Sequence, residues 1–177
     1  MTARRPRRLT DLRSQAALLA DAGLDQAEPP QPGPEAAPLD EADHALIAAA
    51  SAVLARHYRP FWHMVAAAIR SRDGRIWTGV HIGATVGRLS VCAEPVAFGR
   101  AVLEGDGTVG TIVAVRHPKP EETDRDMAVV PPCGACRELL MDHCPDARVI
   151  LRRPGSLLPE GLVTLPARLL LPWPYRR

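Results

Sequence analysis

The sequence predicts an α/β protein with three α/β/α layers and a mixed, partly parallel sheet. Helix-like and strand-like segments alternate along the chain in the order α-β-β-α-β-α-β, with one more short strand near the end. Alternation of this kind builds a sheet that is covered by helices on both faces. The chain has 177 residues, of which 46% are hydrophobic, so it is long enough to form one packed core.

The first 38 residues are expected to form a disordered or weakly ordered extension, ahead of a single domain over residues 39–177. Residues 11–24 have the composition of a short Ala/Leu-rich helix, and five prolines between positions 29 and 38 interrupt regular structure after it. The arginines within residues 4–13 then belong to a solvated tail. A small nucleic-acid or membrane patch is the alternative for these arginines.

The elements of the domain follow from local signals. Asp40 is suited to cap a first helix that runs to His57 with apolar residues at helical spacing. The dipeptide Asp73-Gly74 between strand-like runs over 63–69 and 75–81 predicts a hairpin. The remaining predicted elements are a helix over 94–103, a strand over 111–115, a polar loop over 117–130, a helix over 134–143, and strands over 148–151 and 162–165.

Composition excludes several classes of protein. A net charge of +2 and an aromatic content of 4% are unlike a nucleic-acid-binding surface. Apolar runs fall short of the ~20 residues of a membrane helix, and no signal peptide is recognisable at the N-terminus. We therefore expect a cytoplasmic protein whose four cysteines are reduced and whose ligand is a small molecule, with no nucleic-acid or membrane partner.

The most specific feature is a set of three cysteines at two predicted helix starts. Cys92 opens one helix, and Cys133 and Cys136 open another. Helix N-termini stabilise thiolates, and three thiolates leave the fourth position of a tetrahedral zinc site open, as in catalytic zinc sites. The sequence therefore predicts a Zn²⁺ ion held by these three residues. A Cys-x-x-Cys pair alone is also compatible with a redox dithiol or half of a zinc ribbon.

Two charged residues adjoin this cluster. Glu94 lies two residues after Cys92, so it is directed away from the fourth ligand position and is expected to be the catalytic proton carrier. Arg137 follows Cys136 and is expected to balance the thiolate charge through hydrogen bonds to sulfur. Cys144 lies about 12 Å along the helix from Cys136, which makes it a poor fourth ligand and a core or surface thiol.

These motifs resemble a known family. Cys92-Ala93-Glu94 followed by Pro132-Cys133-Gly134-Ala135-Cys136-Arg137 is similar to the zinc-dependent nucleoside deaminases of the cytidine deaminase and blasticidin S deaminase type, and the resemblance covers about residues 44–175. It implies a cytidine deaminase-like fold and zinc ligation by Cys92, Cys133 and Cys136. It also implies that Glu94 shuttles protons while water adds to C4 of a cytosine ring and ammonia leaves.

The resemblance further implies contacts to the substrate and a quaternary structure. The Ala93 backbone is expected beside the base. The ending Leu169-Leu170-Leu171-Pro172-Trp173-Pro174-Tyr175 is similar to that of the family, so Trp173 or Tyr175 either covers its own or a neighbouring active site or simply packs. Small deaminases with three thiol ligands are usually tetramers, so a homo-oligomer, tetramer or dimer, is expected.

The segment that recognises the sugar departs from the family. Cytidine deaminases have Gly-x-Asn-x-Glu after the second strand, and the Asn and Glu hold the ribose. In this chain His81 replaces the Asn and Gly83 replaces the Glu, whereas blasticidin S deaminases lose only the Glu. His63 stands where the family places a Phe beside the base. We expect His63 and His81 to face the pocket from neighbouring strands; ordinary polar strand-end residues are the alternative.

The leading functional hypothesis is therefore a zinc-dependent hydrolase that converts a free cytosine nucleoside, of the cytidine or deoxycytidine type, to its uracil form. A modified aminopyrimidine nucleoside such as blasticidin S, or another cyclic amidine, is the alternative substrate. Two other classes of protein remain. A non-catalytic zinc-binding module would not need Glu94 as a proton carrier, and in a thiol oxidoreductase the two thiols of the Cys-x-x-Cys pair would be occupied by a bound zinc ion.

Overall fold

The computed structural model describes residues 36–153 and 161–175. The helix expected over 11–24 and most of the expected N-terminal extension lie outside the described residues. The last part of that extension contacts the domain, because Ala37 forms an antiparallel bridge with Thr164 and Ala36 packs against the core.

The six-stranded sheet has the order β2-β1-β3-β5-β6, with β4 paired to β3. The β3–β5 pair is parallel and the other pairs are antiparallel, so the prediction of a mixed sheet is confirmed. Along one edge of β3, the first half of the strand pairs with β5 and the second half pairs with β4. The strands β4 and β5 therefore diverge at this edge. The strands are β1 (Val65–Arg70), β2 (Ile76–Val80), β3 (Thr111–Arg116), β4 (Ala128–Val130), β5 (Arg148–Arg152) and β6 (Leu162–Pro166).

Helices cover both faces of the sheet, which confirms the three-layer prediction. Successive β1 residues point to opposite faces: Ala66 and Ala68 pack beneath α1, and Ala67 and Ile69 lie in the core on the side of the other two helices. Single-turn 3₁₀ helices occur at Gly87–Leu89 and Ala167–Leu170. The α-helices are α1 (Glu41–His57), α2 (Ala93–Glu104) and α3 (Gly134–His143).

The start of α1 is fixed by a buried charge network at the sheet end opposite the cysteines. Asp40 is the N-cap, as predicted, and forms a capping box with Asp43. The Asp43 carboxylate is fully buried and accepts hydrogen bonds from Arg70 Nη2 at 2.9 Å and from Arg148 Nη2 at 2.5 Å. One side chain thus joins α1 to both β1 and β5.

The predicted hairpin is present, and the predicted loop over 117–130 is partly wrong. Gly74 has φ +88°, and its N–H donates to the Ser71 carbonyl, which closes the turn between β1 and β2. The apolar end of the predicted loop forms β4. Val129 is buried there, and its segment pairs with the part of the β3 edge that does not pair with β5. Among the described residues, no helix combines the length and apolarity needed to cross a bilayer.

Candidate active site

Two helix starts bring three thiols together. Cys92 is the N-cap of α2, Cys133 is the N-cap of α3, and Cys136 lies in the first turn of α3. The Cys92 and Cys133 sulfurs are 3.5 Å apart, and the Cys133 and Cys136 sulfurs are 3.6 Å apart. Sulfur atoms bound to one tetrahedral zinc ion at about 2.3 Å lie about 3.8 Å from each other. The donor set and its spacing therefore fit zinc.

The three thiols differ in environment. Burial raises the pKa of Cys92, and the Cys133 thiol adds to the rise. At Cys133, burial also acts to raise the pKa, but it is outweighed by the hydrogen bond from the Cys136 backbone N–H and by those with the Cys92 and Cys136 thiols, so the pKa is lowered. Burial and then the Glu94 charge raise the pKa of Cys136. A bound cation favours the thiolate at all three positions, because coordinating thiols are deprotonated.

Glu94 lies at the second position of α2 with its side chain turned into the protein. The residue is only 6% exposed, and within the described part of the chain it forms no ion pair. Burial raises its pKa, while its own backbone N–H and the Cys136 thiol oppose that rise. A small cavity beside it is lined by Pro132 and by apolar residues of β3 and β5. A buried acid that has no ion-pair partner in the described structure and lies next to a cluster able to bind a metal is a candidate for proton transfer.

Arg137 does not make the expected contacts to sulfur. Its Nε donates to the Pro132 carbonyl at 2.9 Å, and its Nη1 donates to the Leu170 carbonyl at 3.2 Å; no bond to a thiol accompanies these two among the described residues. The physical reason is that carbonyl oxygens are stronger acceptors than sulfur. They also lie where the planar guanidinium can reach both at once.

His63 and His81 are in contact, His63 two residues before β1 and His81 directly after β2. His63 Nδ1 lies 2.8 Å from the His81 carbonyl oxygen, so this nitrogen carries the proton and Nε2 of the neutral ring is the acceptor. The His81 Nδ1 atom is buried without a hydrogen-bond partner in the described structure. Burial, and secondarily the nearby His63, lowers the pKa of His81.

Comparison with known proteins identifies the family. Residues 40–152 match the sequence model described as the cytidine and deoxycytidylate deaminase zinc-binding region. The chain belongs to the cytidine and deoxycytidylate deaminase family. It is therefore a hydrolytic deaminase acting on a C–N bond, with zinc as its cofactor and the cluster of Cys92, Cys133 and Cys136 as a group that can bind it.

Two relatives and one solved structure illustrate how similar this deaminase is to its family. It is 44% identical to the blasticidin-S deaminase of Bacillus cereus over 120 residues, which are 68% of this chain and 86% of that protein. It is 33% identical to a cytidine deaminase of Mycobacterium tuberculosis over 109 residues, 58% of this chain and 76% of that protein. The crystal structure of cytidine deaminase from Burkholderia pseudomallei matches with a TM-score of 0.59 and 27% identity, covering 77% of this chain and all of that one.

The other residues predicted to touch the substrate have contrasting exposure. Ala93 begins α2 and is fully buried. Trp173 and Tyr175 are 91% and 77% exposed, so neither residue is covered by the part of the chain that the structure describes. The backbone at Tyr175 is nevertheless attached to α3, because Tyr175 N–H donates to Glu138 Oε1 at 3.1 Å.

The structure also explains the glycine at position 83 of this deaminase, which sequence reasoning identified but could not account for. A Cβ atom on Gly83 would lie 2.3 Å from the Phe61 carbonyl oxygen, and the Gly83 N–H donates to the Trp62 carbonyl at 2.7 Å. Phe61 has φ +66°, which turns this backbone against Gly83. No side chain, and hence no acid, fits here without a backbone shift.

Proposed function

We propose that this deaminase hydrolyses the 4-amino group of the cytosine base in a free nucleoside and releases ammonia. The observation that supports this most directly is the buried Glu94 carboxyl beside three thiols at zinc-compatible spacing. A structural zinc site has no need of a buried, unpaired acid, and such a site closes with four protein ligands.

In the proposed reaction, water adds to C4 of the base and the bond from C4 to the exocyclic nitrogen breaks. Zinc held by Cys92, Cys133 and Cys136 supplies a Lewis acid that makes water acidic near neutral pH. A Glu94 carboxylate oxygen takes one proton of the attacking water and delivers it to N3 of the ring. It then carries the remaining proton of the new C4 hydroxyl to the departing amino nitrogen, which leaves as ammonia. Burial suits Glu94 to this task, because a raised pKa brings a carboxylic acid closer to the operating pH.

For the sugar, a nucleoside of the blasticidin S type is better supported than cytidine. The backbone at Phe61 excludes a side chain at Gly83, so the acid that holds ribose in cytidine deaminases has no equivalent here. A relative named blasticidin-S deaminase shares 44% identity with the chain. Cytidine or deoxycytidine is the second candidate, favoured by the imidazole of His81 at the position of the family's ribose-binding Asn.

The proposed sugar contacts come from the histidine pair. With its Nδ1 proton held by the His81 carbonyl, His63 offers Nε2 as an acceptor for a hydroxyl or ammonium group. His81 offers a ring nitrogen that has no partner within the described protein. We assign the Ala93 backbone, at the start of α2, to a contact with the base. We assign the exposed Trp173 ring to covering the active site of its own subunit or of a neighbouring one.

We also propose that the enzyme is a homo-oligomer, a dimer or tetramer. Two backbone contacts bring the segments around residues 61–62, 82 and 86–91 together: the bridge between Ile82 and Val91, and the bond from Gly83 to Trp62. Their exposed apolar side chains form what we call the mouth patch, next to Cys92. Patches of this kind mark interaction surfaces. The mouth patch comprises Phe61, Trp62, Ile82, Val86, Leu89 and Val91.

The test is to incubate the zinc-loaded full chain separately with blasticidin S, cytidine and deoxycytidine and to detect the amino-to-oxo change by mass spectrometry. We expect blasticidin S to be converted faster than cytidine or deoxycytidine. Glu94→Gln is expected to lower turnover by roughly 10²–10⁴-fold while zinc content stays unchanged.

Each result of this test has a defined meaning. Conversion of cytidine but not of blasticidin S would replace the first substrate with the second candidate. Failure of all three nucleosides in protein that holds zinc, or wild-type turnover in Glu94→Gln, would overturn the proposed reaction.

A further inference from the structure

Arg137 bridges two parts of the backbone that are distant in sequence. It follows Cys136 in α3 and is half-buried. One hydrogen bond reaches the carbonyl of Pro132, the residue before the ligand Cys133, and the other reaches the carbonyl of Leu170, 33 residues further along the chain than Arg137. A single guanidinium therefore joins the segment that carries a ligand to the end of the second 3₁₀ turn.

Residues 167–175, here called the C-terminal segment, run along α3 and the turn after it. Ala167 N–H donates to the Ala147 carbonyl, and Arg168 N–H donates to the Pro145 carbonyl. At the other end, Tyr175 N–H donates to Glu138 Oε1. The segment is thus attached on both sides of Leu170, so the Arg137 bond connects the ligand segment to a part of the chain that is itself anchored.

We propose that Arg137 is a positioning residue that ties the Pro132–Cys133 segment to Leu170, so that the C-terminal segment controls how firmly the thiol cluster retains zinc. Cys133 is the exposed member of the cluster, and the residue before it is held by the Arg137 Nε bond. Residues that orient metal ligands affect metal affinity by roughly 10–100-fold when they are changed. This role differs from charge compensation, since the donors of Arg137 are directed at carbonyls.

A lysine at position 137 distinguishes the two roles. Lysine retains the positive charge but presents a single ammonium group, which cannot reproduce a planar fork spanning two carbonyls. Charge compensation therefore predicts that Arg137→Lys behaves like wild type. Bridging predicts that Arg137→Lys behaves more like Arg137→Ala.

The first measurement is the rate at which the zinc-loaded full chain releases its metal to a chromogenic chelator. We expect release to be roughly 10–100-fold faster in Arg137→Ala, with most of that increase also present in Arg137→Lys. Arg100→Ala is the matched control, because Arg100 also donates to a carbonyl, that of Thr78, and pairs with Glu104, but lies on α2 away from the C-terminal segment.

The second measurement is backbone hydrogen exchange, followed by mass spectrometry, in the same proteins. Loss of the bridge is expected to speed exchange at the amides of Val130 and Cys133, which flank Pro131 and Pro132, and in residues 167–175. Wild-type zinc release in Arg137→Lys, or unchanged exchange of residues 167–175 in both variants, would overturn the proposal. If Arg137→Ala fails to fold, as judged by thermal melting, Arg137→Lys alone decides. Neither measurement uses a nucleoside, so the outcome is independent of the proposed substrate.

Discussion

Gly83 is a residue at which backbone packing alone excludes every other amino acid. Because a Cβ atom there would lie 2.3 Å from the Phe61 carbonyl oxygen, Gly83→Ala is expected to lower the free energy of unfolding by about 1–3 kcal/mol. Gly87→Ala is the control, since nothing lies within 4 Å of its Cβ position, and its effect should stay within about 0.5 kcal/mol. Urea denaturation measures both, and equal effects would contradict this account.

His81 makes stability depend on pH. Burial, and then the neighbouring His63, lowers its pKa in the folded state below the ordinary value of 6.5, so the unfolded chain binds a proton more readily. Stability from the neutral ring is therefore present above pH 6.5 and is lost as the pH falls below it. The free energy of unfolding, measured with urea between about pH 5 and 8, should change less steeply with pH in His81→Asn than in wild type.

At the scale of elements, Asp43 is the group that fixes α1 to the sheet. Replacing its buried carboxylate leaves Arg70 and Arg148 without their shared partner, so Asp43→Asn should lower the free energy of unfolding by about 3 kcal/mol, near the lower end for broken buried pairs because both arginines are partly exposed. Asp40→Asn is the control, because Asn caps helices as well as Asp does, and the ion pair of Asp40 with Arg148, at 3.5 Å, is exposed and contributes little. Chemical denaturation tests this, and a loss as small as that of Asp40→Asn would show that the network does not stabilise the fold.

Sequence patterns predicted these elements better than they predicted side-chain contacts. The helix over 134–143 was predicted with its observed bounds, since Pro132 and Pro145 flank it and a capping position begins it. The strand β4 was missed because three residues are too few to show an alternating pattern of apolar and polar side chains. Its formation also depends on pairing with β3, which is distant in sequence. The Arg137 bonds and the Gly83 contact are also set by distant segments, whereas the cysteine spacing is local to two helix starts and was therefore visible in the sequence.

At the scale of the whole molecule, the mouth patch predicts self-association. Leu89, in the 86–91 part of the mouth patch, is 65% exposed. Leu89→Asp should therefore shift the protein toward smaller species in sedimentation velocity experiments. Leu103→Asp is the matched control, because Leu103 is 86% exposed but lies near the end of α2, outside the mouth patch. A wild-type chain that sediments as a monomer at all concentrations would refute the prediction.

The two helix starts that carry the thiols are separated along the chain by 41 residues between Cys92 and Cys133. A zinc ion shared by these two side chains binds the folded chain in preference to the unfolded one, because the unfolded chain would have to close a loop of that length at an entropic cost of about 4 kcal/mol, if the loop is treated like that of a disulfide. The cofactor of catalysis therefore also stabilises the folded state. The melting temperature of the enzyme is then expected to rise with the free zinc concentration.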